Sequence, residues 1–244
     1  IDDTRYYLVE ARKAGIKVLP PDVNESEVLF IAKDAGTIRY ALNAVKGIGE
    51  AAVTALVEER NENGPYKNFA DLIQRLSTKS ITKKTVEALV QSGALDSFNE
   101  AHRAQFFALL PGEQQNIIEK TLKLNSSNIK QGVNANIQSL FGDYQVIELP
   151  TVKFPLTDKW TLLEQLYFEK ETTGVYLSGH PLDNFELEIN SFANIHVREI
   201  PLVANKDLSV AVIITQVAHK MTKTGKPFGS VVIEDLESSF DFAL

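Results

Sequence analysis

Two glycines one residue apart, Gly47 and Gly49, interrupt an otherwise helix-forming run, AVKGIGEAAVTALVEER (residues 44–60). Leu42 and Val45 stand one turn before them, and Val53, Leu56 and Val57 recur at helical spacing after them. Two short helices joined by a Gly-apolar-Gly loop describe a helix-hairpin-helix. Lacking a Cβ, the glycines let the loop turn tightly and let its N–H groups approach a phosphate at a helix N-terminus. Ile48 is placed to anchor the loop in a core, and Lys46 adds a cation beside it. Glu50, directly after the loop, argues against anion binding. A plain corner between two helices, with no ligand, is the competing reading of the loop alone.

A second helix follows in ITKKTVEALVQSGALDSF (81–98), ending at Ser92-Gly93 with Lys83 and Lys84 near its start. A tandem pair would set two loops on consecutive phosphates of one duplex strand. The contact residues would be Lys46, Gly47, Ile48, Gly49, Lys83, Lys84 and Gly93. Side chains placed on both Gly47 and Gly49 are expected to abolish such binding without unfolding the domain. Lys83 and Lys84, taken alone, fit a solvated helix turn better than a binding site.

Around these hairpins the pattern is mixed. Residues 4–14 read as a helix ending at Gly15, and GIKVLPPDVN as a strand stopped by Pro20-Pro21. Residues 27–45 read as two short strands joined at Asp34-Ala35-Gly36. Helices are expected over 50–60, 68–76, 82–91 and 101–124, the last interrupted at Pro111-Gly112. Residues 125–136, NSSNIKQGVNAN, have the composition of a mobile linker, followed by one apolar island, IQSLF. Helix returns in DKWTLLEQLYFEKETTG, with Trp160, Leu163, Leu166 and Tyr167 spaced to pack, and residues 185–190 add another helical turn. From Asp207 onward the pattern is β: most of three meandering strands, too few for a closed barrel.

Charge narrows the partners. The net charge of −7 excludes a chain that wraps nucleic acid over its whole surface. The distribution is patchy, however: Arg75, Lys79, Lys83 and Lys84 lie in a stretch without an acid, and Lys206, Lys220, Lys223 and Lys226 oppose only Asp207. No apolar run approaches the roughly 18–20 residues of a membrane span. The absence of cysteine excludes disulfides and thiolate metal sites, which fits an intracellular home. A chain that starts at Ile1 and stops at Leu244 within a β-like run is expected to be part of a longer protein.

The search for catalytic groups is nearly empty. Asp2-Asp3 and Glu58-Glu59 are adjacent pairs that point to different faces, and His102, His180, His196 and His219 follow no ligand pattern. Ser178-Gly179-His180 has no partnering Asp in motif order. By itself the sequence describes a binding module, without a catalytic or metal site.

Several stretches together resemble one family, the catalytic alpha subunits of bacterial DNA polymerase III. They are GIKVLPPDVNES (15–26), IRYALNAVKGIGEAAVTALVEERNENGPYKNFADL (38–72), VEALVQSGALDSF (86–98), FEKETTGVYLSGHPLDNF (168–185) and the strands from 208. They occur in the family's order and span nearly the whole chain; LPPDVNES and YLSGHPLD are the most specific. The resemblance implies an α+β, multidomain fold, mainly helical and then a partial antiparallel β domain of OB type. Residues 1–40 would end the fingers region, 41–124 form a tandem helix-hairpin-helix that holds duplex DNA, and 125–150 carry a sliding-clamp motif. Residues 151–206 would be a helical connector, and 207–244 the first strands of an OB-fold that handles single-stranded template.

Further implications follow from the resemblance. In the clamp motif, Leu140 and Phe141 fit, while Ile137 stands where the family has Gln and Gln138 comes one residue later. Val53 replaces the Ala more usual in such hairpins, so the helices are expected to pack slightly wider. Lys220, Lys223, Lys226 and Phe228 would offer single-stranded DNA a basic groove with an aromatic platform, or form only a solvated hairpin tip. The family's catalytic aspartates, which use magnesium, lie upstream, so this stretch is expected to need no cofactor and to be inert as an enzyme. Implied partners are duplex DNA, template single strand, the sliding clamp and other polymerase III holoenzyme subunits, in the cytoplasm and away from membranes. The alternatives are a free-standing helix-hairpin-helix scaffold or repair protein, and a domain that binds nothing.

Overall fold

A computed structural model describes residues 2–76, 80–130, 152–203 and 207–243. The chain is α+β and divides into two compact units, residues 1–177 and 178–244. The boundary falls inside the stretch expected to be a helical connector.

In the first unit, α1 (Asp2–Lys13) precedes a small sheet of β1 (Lys17–Leu19), β2 (Ile31–Asp34) and β3 (Thr37–Arg39). β3 lies in the middle, parallel to β1 and antiparallel to β2. The turn expected at Asp34-Ala35-Gly36 is present: Gly36 N–H donates to Asp34 Oδ1 at 2.8 Å. Past β3 the first hairpin helix is a single 3-10 turn, Leu42–Ala44, shorter than the residue spacing implies. Then come α2 (Glu50–Asn63), α3 (Phe69–Arg75) and α4 (Lys83–Gln91). The last two are capped by Asn68, which accepts from Asp71 N–H, and Thr82, which accepts from Thr85 N–H. One apolar core joins these elements. Val45, Ile48, Val53 and Leu56 of the first hairpin meet Phe69, Leu72 and Ile73 of α3 and Val86, Leu89 and Val90 of α4. Each such side chain taken from water contributes about 1.5–3 kcal/mol.

The interruption expected at Pro111-Gly112 is present, as residues 108–116 separate α5 (Arg103–Phe107) from α6 (Ile117–Lys130). One reading of the sequence needs correction. Residues 125–130, expected in the linker, belong to α6. Asn125 is buried there, and its Nδ2 donates to Ile73 O at 2.6 Å and Leu76 O at 3.4 Å. Ser126 and Ser127 turn their hydroxyls back onto the carbonyls of Leu122 and Lys123. Polar composition thus marks the end of a docked helix here, because the polar groups find partners within it and on α3.

α7 (Leu162–Thr173) starts at Thr161, whose side chain and that of Glu164 cap each other's backbone, and ends at Gly174. Of the four residues expected to pack, Leu166 is buried, and Trp160 lies against Phe107 and Phe168 with ring centroids 5.5 and 4.3 Å away. Leu163 and Tyr167 are exposed. The helix is phased by Leu166, Glu169, Thr172 and Thr173, which are buried, and Leu163 and Tyr167 fall on the opposite stripe.

The second unit holds α8 (Glu186–Phe192) and an antiparallel meander of β4 (Ile213–Met221), β5 (Pro227–Glu234) and β6 (Ser239–Ala243). Asp235, just past β5, accepts N–H donors from Val197, Glu237 and Ser238. Burial pushes its carboxyl up, and these donors more than offset that, holding it below the ordinary range. A cavity of about 200 Å³ beside it is lined by apolar Leu182, Ile189 and Leu236 and polar His196 and Glu199.

Replacing Asn125 with Ala leaves two buried carbonyls without their donor, a loss of about 1–3 kcal/mol. Thermal melting of Asn125→Ala should show that loss with no change in the far-UV spectrum of the native state.

Candidate nucleic-acid interface

The Gly47-Ile48-Gly49 loop caps α2. Ile48 is buried and holds the loop to the core, while Lys46 and Gly49 face water. Among the described residues no acceptor meets the N–H groups of Gly47, Gly49 or Glu50. Those amides and the start of α2 form a donor cluster open to solvent. Lys46 donates its own N–H to Thr172 O at 2.7 Å, which leaves its side chain as the loop's contribution of charge.

The two glycines do different work. Gly47 has φ +94°, and a Cβ there would lie 3.3 Å from Ala88 Cβ on α4 and 3.6 Å from Lys84 Cε. Gly49 has φ −80°, an ordinary conformation, and a Cβ there meets nothing within 4 Å. The expectation that side chains on both would spare the fold therefore needs revision: only Gly49 is free to carry one. The same geometry sets the Lys84 stem over Gly47, so an exposed cation from the second hairpin stands beside the first loop.

The remaining expected contacts are placed less openly. Lys83 Nζ is 2.7 Å from Glu119 Oε1 and 3.7 Å from Glu87 Oε1; the hydrogen bond to Glu119 pushes the Lys83 pKa up and holds its charge in an exposed pair. Gly93 is buried at φ +84°, its N–H donates to Val90 O at 3.1 Å, and Arg103 Nη2 fills the place a Cβ would take. A phosphate at the second hairpin would have to be held by other groups. In the second unit, Lys220 stands directly across from Phe228 in the β4–β5 register, and Lys223 and Lys226 occupy the exposed turn between those strands. Gln138, Leu140 and Phe141 lie outside the described residues.

A buried network escaped the sequence reading. Arg103 Nε and Nη2 donate to the Asp96 carboxylate at 2.6–3.0 Å, and Nη1 donates to Glu169 Oε1 at 3.0 Å and Gln91 O at 3.3 Å. Burial opposes the Arg103 charge, but the bonds to Asp96 and the charges of Asp96 and Glu169 outweigh it and push its pKa up. The available signal was Glu169 standing in phase with Leu166 on the packed face of its helix. Among the described residues no group of three or more His, Asp or Glu side chains converges as a metal site, and no helix is long and apolar enough to cross a membrane.

Residues 15–106 match the helix-hairpin-helix motif family. With the open loop at the head of α2, this places a helix-hairpin-helix motif in the first unit. Over almost its full length the chain is also similar to the DNA polymerase III subunit alpha of Treponema pallidum, 31% identical over 98% of this chain and 20% of the relative. That of Borreliella burgdorferi is 34% identical over 100% and 21%, and that of Bacillus subtilis 31% over 96% and 20%. The chain is therefore related, from end to end, to the alpha subunits of bacterial DNA polymerase III, and it spans about one fifth of the length of the curated relatives it matches.

Gly49→Ser keeps an ordinary φ, has open space around it and supplies a good helix cap, so its melting temperature should stay level or rise. Its hydroxyl would occupy the amides at the start of α2, and duplex-DNA affinity should fall several-fold. Gly47→Ala should instead destabilise the fold by about 1–2 kcal/mol from backbone strain alone. Melting curves beside DNA titrations of the two variants separate the roles.

Proposed function

We propose that this chain is the duplex-holding part of a replicative DNA polymerase III alpha subunit, which extends primed templates 5′ to 3′. The observation that carries the reading is the open amide cluster at Gly47-Ile48-Gly49, flanked by Lys46 and Lys84, in a chain related throughout to that subunit. Backbone N–H groups and two flexible cations recognise phosphate and carry no base information, so the contact is sequence-indifferent. Magnesium would serve nucleotidyl transfer in the whole protein; the described residues of this chain do not fit a site for it. Lys220, Lys223, Lys226 and Phe228 would guide single-stranded template on the β4–β5 hairpin. Other holoenzyme subunits and a cytoplasmic setting belong to the same reading.

Duplex binding should weaken with salt by about 0.9 log units per log unit of salt for each phosphate neutralised. Lys46→Ala and Lys84→Ala should each lower that slope by about 1 and weaken all sequences alike. An anisotropy titration at several salt concentrations measures both; a flat salt response would make the hairpin only a corner.

The IQSLF segment is proposed to dock on the sliding clamp through Leu140 and Phe141, with Gln138 at the rim of the pocket. Burying the two apolar side chains is worth about 1.5–3 kcal/mol each before ordering costs, so the segment alone binds modestly and gains strength from tethering. Changing Leu140 and Phe141 to Ala should abolish clamp capture in a pull-down and leave duplex binding intact. Normal capture by the double variant would place the contact elsewhere.

A further inference from the structure

One face of α7 touches both hairpins. Glu169 has no exposure to water; its Oε1 accepts from Arg103 Nη1 at 3.0 Å and its Oε2 from Leu177 N–H at 3.1 Å. Arg103 in turn fills the space under Gly93, grips Asp96 with two nitrogens and donates to Gln91 O. Those three residues are the turn of the second hairpin. Three and four residues beyond Glu169, on the same helical face, Thr172 O accepts from Lys46 N–H at 2.7 Å, and Thr173 O from Tyr40 Oη at 2.7 Å. Lys46 opens the loop of the first hairpin, and Tyr40 is fully buried beneath it.

The chemistry of this face is economical. Thr172 and Thr173 carry two of the last four carbonyls of α7, which no helical N–H can reach. The first hairpin supplies their donors. One turn earlier, the helix presents a buried carboxylate that the guanidinium of Arg103 neutralises. A single rigid turn of helix, about 5.4 Å of rise, therefore spans from one hairpin to the other. α4 closes the third side: a Cβ on Gly47 would lie 3.3 Å from Ala88 Cβ and 3.6 Å from Lys84 Cε.

We propose that residues 169–173 of α7 act as a spacer that holds the second hairpin, and with it Lys84, against the loop of the first, with Glu169 and Tyr40 as positioning residues. The proposal rests on the duplex-binding reading above. A spacer of this kind keeps the Lys84 cation beside the open amides, so its loss costs affinity without removing any group that touches DNA.

The test uses the full chain and a mixed-sequence duplex, with Glu169→Gln, which keeps the volume, and Tyr40→Phe, which removes only the hydroxyl. Asn125→Ala serves as a control that weakens the same unit without touching either loop. Each positioning variant should bind on the order of tenfold more weakly, with a salt slope lower by about 1, the share of a displaced Lys84. Hydrogen exchange at Lys46 N–H should quicken in Tyr40→Phe, and around Gly93–Asp96 in Glu169→Gln. The control should melt earlier with its slope unchanged, as should any variant acting only through stability. A steep slope retained by both positioning variants at temperatures where they are folded would overturn the spacer alone. A flat salt response of the unaltered chain would overturn the duplex reading, and the spacer with it.

Discussion

A carboxylate sealed from water decides how the first unit is assembled. Transferring an ion of that size out of water costs several kcal/mol even after relaxation, so Glu169 is tolerable only with a cation and further donors in place. Arg103 meets that need, and its remaining donors must be met as well, which Asp96 and the Gln91 carbonyl do. Each partner is thus required by the one before it. The chain joins residues 91–103 to residue 169 by a requirement of charge, whereas apolar contacts alone would tolerate sliding. Directional bonds to a guanidinium fix a position; burial only fixes a neighbourhood.

The glycines show how one residue type answers three separate constraints. Gly47 is needed for its dihedral and because a Cβ there would come within 3.3 Å of Ala88 Cβ. Gly93 is needed because Arg103 lies where its side chain would be. Gly49 has neither restriction: its conformation is one any residue adopts, and its surroundings are empty. A glycine that packing and backbone do not require, at the head of a helix with open amides, is accounted for by close approach of something from outside. The phosphate reading of the loop therefore leans on Gly49 more than on its partner.

Much of this architecture is legible in the residue pattern, and the failures have physical causes. The helices that begin at Glu50, Phe69 and Lys83 are marked by a glycine, asparagine or threonine ahead of an apolar stripe, a signal contained within a few residues. The end of α6 was missed because Asn125 and Ser126 look like linker residues until Ile73, Leu76 and Leu122 supply their partners, two of them some fifty positions away in sequence. The phase of α7 was missed for a related reason. Leu163 and Tyr167 compete with Glu169 for the inward face, and hydropathy alone chooses the wrong stripe; only the distant Arg103 makes the charged face the buried one. For the site, the Gly-Ile-Gly loop was legible, while the placement of Lys84 beside it was not, since that depends on how α4 crosses the loop.

Charge pairing also separates the two neighbouring lysines of α4, which look equivalent in sequence. Lys83 spends its charge on Glu119 and Glu87, and releasing it to a phosphate would strand two carboxylates near the ligand. Lys84 has no carboxylate within bridging distance among the described residues, and its stem already lies along Gly47. On a chain with an overall negative charge, an anion is drawn in only where cations are left unmatched, and the Debye length of about 8–10 Å confines that attraction to the immediate neighbourhood. Lys46 and Lys84 on either side of the open amides meet this condition locally, with Glu50 opposing them. Under the duplex-binding proposal, a site made of two cations and a few amides would hold phosphate loosely.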